Sequence, residues 1–65
     1  MIKTAIRLQN NMVMVFDEEG EQIPEYQGQW LQVKESILRD APTEAIFAHG
    51  FNDFGQLLTV PKEEW

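Results

Sequence analysis

The chain has 65 residues, 43% of them hydrophobic, and carries 11 Asp and Glu against five Lys and Arg for a net charge of −6. A chain this short forms one domain and buries only about 60% of its unfolded surface, so its stability is marginal. Without cysteine it has neither a disulfide framework nor a Cys-based zinc site to brace it, and its acidity argues against direct binding to nucleic acid or an anionic membrane, because neutralising phosphates needs a Lys/Arg surface.

The longest apolar run, Met12 to Phe16, is five residues. A membrane span needs roughly 20 and a signal-peptide core about 7 to 15. The expectation is a soluble, cytoplasmic protein without a secretory signal, and the lack of cysteine agrees with that setting. The seven aromatics (two Trp, one Tyr, four Phe) supply enough material for a small core.

Ile2, Thr4, Ile6 and Leu8 alternate with Lys3, Ala5 and Arg7, the period of a half-buried strand. Asn10-Asn11 follows and suits a two-residue type I′ turn, because Asn tolerates positive φ. The second strand is MVMVF, residues 12 to 16. That turn pairs Leu8 with Val13 and Ile6 with Val15, and puts those four on one side of the sheet. Ala5, Arg7, Met12, Met14 and Phe16 stand on the other. A slip of one residue would exchange the sets. Strand two is apolar on both sides, which suggests a central position.

Asp17-Glu18-Glu19-Gly20 has the Asp and Gly of a type I turn, and Gly20 fits the left-handed position of a bulge. EQIPEY, residues 21 to 26, reads as a third strand with Ile23 near Met14. Pro24 lacks an N–H, so this strand lies at an edge or ends there. From Gln27 or Gln29 to about Arg39, Trp30, Leu31, Val33, Ile37 and Leu38 fall on one helical stripe, with Gln32, Glu35, Ser36 and Arg39 opposite. Glu35 and Arg39 make an i,i+4 pair of favourable order. Lys34 projects within the apolar stripe, and its stem can snorkel along Trp30. Asp40-Ala41-Pro42 ends the helix. Residues 44–49 and 56–60 read as two strands joined by the loop GFNDFG, and PKEEW as a short terminal helix with Trp65 as a plug on the core. The order is β-β-β-α-β-β: a small α+β domain, largely antiparallel, with one helix packed on one face.

The carboxylates of residues 17–25 fail the EF-hand pattern, since Gln22 stands where its Gly belongs and Gly28 where its Glu belongs; a solvated turn is the plainer account. Asp53-Phe54-Gly55 spells the kinase metal-binding tripeptide, but every other kinase motif is missing. His49 is the only histidine and Ser36 the only serine, and neither builds a metal site or a nucleophile pair. The reading is of a non-enzyme with no catalytic residue, metal or cofactor. Phe51 and Phe54 either close the core or stand ready for a partner. The second sheet face, with Ala5, Met12, Met14, Phe16 and Ile23 bordered by Lys3 and Arg7, is either covered by the C-terminal hairpin and Trp65 or exposed as an interface. Methionines suit adaptable contact surfaces.

The run MVMVFDEEGEQIPEYQG, with FAHGF and the closing VPKEEW, resembles a group of short uncharacterised bacterial proteins from Gram-positive, prophage-like gene neighbourhoods. That resemblance implies no activity, cofactor or site residue. The functional expectation is a small protein-interaction module that meets a protein partner or a second copy through Met12, Met14, Phe16, Phe51 and Phe54. The alternative is an acidic decoy, in which the carboxylates of residues 17–25 with Glu44, Asp53, Glu63 and Glu64 imitate a phosphate track and block a nucleic-acid-binding protein.

Overall fold

The computed structural model describes all 65 residues, Met1 to Trp65. Five strands, β1 (Ile2–Arg7), β2 (Met12–Asp17), β3 (Gly28–Gln29), β4 (Ile46–Phe51) and β5 (Leu57–Val60), and one helix, α1 (Trp30–Asp40), follow one another as β-β-β-α-β-β. The strands form one sheet in the order β3-β2-β1-β4-β5. Only β1 and β4 are parallel. This is the α+β arrangement expected from the alternation of periods.

One turn design recurs three times. Leu8 and Met12, Asp17 and Glu21, and Asn52 and Gln56 each close a three-residue loop by a backbone bond of 2.8–2.9 Å. Inside each loop a second backbone bond of 2.9–3.1 Å marks a type I turn: Asn11 to Leu8, Gly20 to Asp17, Gly55 to Asn52. The last loop residue is left-handed, with φ 64 at Asn11, 81 at Gly20 and 78 at Gly55. Side-chain oxygens complete the loops. Asn10 Oδ1 accepts from the Met12 amide, Asp17 Oδ1 from Glu19 and Glu21, and Asn52 Oδ1 from Phe54 and Gln56.

The first of these turns corrects the register expected for β1 and β2. The loop is Gln9-Asn10-Asn11, not Asn10-Asn11 alone, so Arg7 pairs with Val13, Ala5 with Val15 and Ile6 with Met14. Side chains across an antiparallel pair share a face. Val13 and Val15 meet the helix as expected, but their companions are Ala5 and Arg7, while Ile6 and Leu8 go to the other face. An irregularity between Ile2 and Thr4 returns Ile2 to the helix side, where it is buried.

The third strand also differs from the expected EQIPEY. Pairing begins, with a bridge between Phe16 and Gln22 and a bond from the Ile23 amide to Val15. Pro24 then starts a single 3₁₀ turn, Pro24–Tyr26. The Gln27 side chain fills the gap, accepting the Val15 amide at 3.0 Å. Only Gly28 and Gln29 then pair with Val13 and Met12.

Trp30, Val33, Ile37 and Leu38 face the sheet, and Ile37 is fully buried. Leu31, placed in that stripe by its spacing, is 83% exposed. It sits about two turns before Leu38, which lies beside the C-terminal segment from Lys62 to Trp65. Ala41 is extended (φ −72, ψ 132) before Pro42 and stops the helix. Arg39 bonds to Asp40 at 2.9 Å rather than to Glu35. After β5, Lys62–Glu64 makes a 3₁₀ turn that swings Trp65 under β4. The Trp65 ring packs edge-on to Phe47 at 5.2 Å, and its Nε1 donates to the Ala48 carbonyl at 2.9 Å. Ala5, Val13, Val15, Ile37, Phe47 and Trp65 form the core.

Candidate functional site

Every non-strand element that packs does so on the helix side of the sheet. The other face is built by parity from the pairs Ile6–Met14, Thr4–Phe16 and Ile6–Ala48, with Ile46 beside Thr4. Leu8 and Met12, closing the first turn, extend it. Ile6 (4% exposed) and Ala48 (0%) lie at its centre, screened by neighbouring side chains, while Leu8, Met12, Met14, Phe16 and Ile46 are half-buried around them. No charged side chain stands among these residues. A sheet face left to water ordinarily carries polar side chains in alternation; this one is apolar along β2, β1 and β4.

The face thus gathers Met12, Met14 and Phe16 as expected. Ala5 and Ile23, expected with them, belong instead to the helix side, where Ala5 is buried in the core and Ile23 packs against it. Trp65, one proposed cover, is on the helix side too, so nothing in the chain closes the face. The residues missed from sequence are Ile6 and Leu8, whose parity hangs on the first turn, and Ile46 and Ala48, which join them through the long-range parallel pairing of β4 with β1. The signal was present in Asn11, which occupies the position filled by Gly20 and Gly55 in the sister turns.

Phe51 and Phe54 do not close the core. Phe51 is 51% exposed and Phe54, at the tip of the β4–β5 turn, 87% exposed. Asn52 organises that turn through its own side chain, so neither ring is needed to hold it. Phe51, Leu58 and Leu8 line a groove of about 470 Å³ at this end of the sheet. Leu8 borders both this groove and the open face, and Phe54 is not part of the groove lining.

The other candidates have structural roles. Asp17 caps its own turn, and Glu18 pairs with the N-terminal ammonium at 3.4 Å. No group of three or more His, Asp or Glu is placed to hold a metal ion. His49 Nε2 donates to the Trp65 carbonyl at 3.0 Å and so holds the C-terminal turn. Lys34 lies over the Trp30 ring, its Nζ 4.4 Å from the centroid, as snorkelling requires. Strand directions put Asp53 at the opposite end of the sheet from the 17–21 turn, which divides the carboxylates between two ends.

Arg39, Asp40 and Tyr26 form an exposed cluster. The Arg39 hydrogen bonds hold the Asp40 carboxyl below the usual carboxylate range, with the Tyr26 hydroxyl adding to the effect through a 2.6 Å bond. The same bond to Asp40, then burial, raises Tyr26 above its ordinary value of 10.0.

Comparison with family models, with curated proteins and with solved structures finds no match. No helix is long and apolar enough to cross a membrane.

Proposed function

We propose that this protein is a small non-enzymatic interaction module that binds through the open face of its sheet, and that the occupant of that face is a second copy of the chain. The observation that carries this reading is the outward set of β2: Met12, Met14 and Phe16 flank Ile6 on a face with no charge and no covering element. Two such faces stack about 10 Å apart in the manner of a β-sandwich, giving an isologous pair with the helices outside. Three strands, each about 4.8 Å wide, and five residues of about 3.4 Å give a plan of roughly 15 by 17 Å. That is at or below the low end of specific interfaces, so the pairing is weak and concentration-dependent. The charge of −6 on each copy opposes association, so added salt strengthens it. The proposal includes a cytoplasmic setting, in keeping with a cysteine-free chain.

Met14→Glu and Phe16→Glu place a carboxylate in the face without touching the core. The expected result is that both variants keep the wild-type circular dichroism and diffuse as monomers at concentrations where the wild type does not. Wild-type diffusion that stays monomeric into the millimolar range would overturn the proposal.

A further inference from the structure

Five basic residues serve this chain, and three of them, Arg7, Lys34 and Lys62, converge on one groove of about 590 Å³ on the helix side. The groove runs between α1 and the C-terminal turn, over Trp30 and beside Trp65. These three are the half-buried cations of the molecule, while Lys3 and Arg39 are exposed. With 11 carboxylates available, none comes within 4.0 Å of any of the three; the ion pairs that form are Met1–Glu18 and Arg39–Asp40. Glu63 and Glu64 line the same groove without closing on them.

What holds the cations leaves most of their donors free. The Arg7 guanidinium lies 3.6 Å from the Trp30 ring centroid and spends two N–H groups on Asn11 Oδ1, at 2.9 and 3.1 Å. Lys34 is over the same ring, and Lys62 makes one bond, to the Ala41 carbonyl at 3.3 Å. The Trp30 indole N–H is buried and finds no acceptor. Partly desolvated cations whose neighbouring carboxylates, Glu63 and Glu64, do not close on them within 4.0 Å leave room for an anion to pair with them directly. The volume is that of a small-molecule site, roughly 300 to 1,000 Å³. The acidic 17–21 turn does not cancel the local field. Along β1 it is about five residues from Arg7, roughly 16 Å, or about two screening lengths in physiological salt.

We infer that this groove binds a small oxyanion, a phosphate- or carboxylate-bearing molecule, with Arg7 as the forked donor and Lys34 and Lys62 as the flanking charges. The site is on the side of the sheet opposite the open face and does not depend on it.

The test is a titration of ¹⁵N-labelled protein with pyrophosphate and, separately, citrate, following the Trp30 indole N–H and Arg7 Nε–H resonances. The expected result is a saturable shift of both signals with at least one anion, weakening as sodium chloride is added. Lys34→Gln and Lys62→Gln should each weaken binding about fivefold to tenfold, and Lys3→Gln should leave it unchanged. A response to pyrophosphate alone assigns the site to phosphates; a response to citrate alone assigns it to carboxylates. Absence of a saturable shift with either anion at millimolar concentration, or equal weakening by Lys3→Gln and Lys34→Gln, would overturn the inference.

Discussion

Asn11 is the residue on which the geometry of the sheet turns. At φ 64 it occupies a region costly for most side chains, and its Oδ1 takes two bonds from Arg7. Asn11→Gly should preserve the register and shift stability by less than about 1 kcal/mol. Asn11→Val should cost about 1–2 kcal/mol through the left-handed backbone. Urea denaturation of the two variants measures the difference. The register was only half legible in the sequence for a physical reason. Asn serves both in a two-residue turn and as the left-handed member of a three-residue one, whereas the Gly of DEEG and NDFG leaves less choice. Tyr26 supplies a second prediction at this scale. Its raised proton affinity comes first from the bond to Asp40, and it is the one tyrosine in the chain, so its ultraviolet titration is unobstructed. Asp40→Ala should bring its midpoint down toward 10. The signs follow from proton linkage. Asp40, depressed in the fold, stabilises above its unfolded value near 3.9 and loses that contribution as pH falls through the lower folded one. Tyr26 stabilises below its unfolded value near 10 and loses the contribution as pH rises through its higher folded one.

The elements themselves were largely legible. Alternation in residues 2–8, the apolar run at 12–16 and the stripe from Trp30 to Leu38 each mark an element that forms, although the irregularity between Ile2 and Thr4 splits the first set between two faces and Leu31 leaves the last. The third strand was not, because sequence shows that Pro24 interrupts a ladder but not that the Gln27 side chain will stand in for the missing backbone partner. Leu31 was misplaced because periodicity describes the helix surface and not the length of what packs against it. The C-terminal turn is the element with most at stake. Trp65 is 4% exposed, packs edge-on against Phe47 and bonds to Ala48. Trp65→Ala should cost about 3–5 kcal/mol, against a total of roughly 3–10 kcal/mol for a domain of this size. Loss of the cooperative thermal transition, or a large fall in its midpoint, is the expected reading by circular dichroism. A midpoint within a few degrees of wild type would show that the ring is not part of the core.

At the scale of the molecule, one layer of helix and turn covers one side of a five-stranded sheet, and none of residues 1–65 outside the strands packs on the other. The expectation that Met12, Met14 and Phe16 share a face follows from β2 alone and needs no register, which is why that part of the candidate site was legible. That Ile6 rather than Ala5 lies between them depends on long-range pairing. The helix-side cations were hidden further: Lys34 stood out as a charge in an apolar stripe, but Arg7 and Lys62 join it only through the fold. The central claim is that the open face meets its counterpart on a second copy. An isotope-filtered nuclear Overhauser experiment on an equal mixture of labelled and unlabelled protein, at millimolar concentration and moderate salt, tests it most directly. The account predicts intermolecular cross-peaks joining the Met12 and Met14 methyls, the Phe16 ring and the Ile6 methyls. Cross-peaks confined to helix-side residues such as Leu31, or none at all, would contradict it.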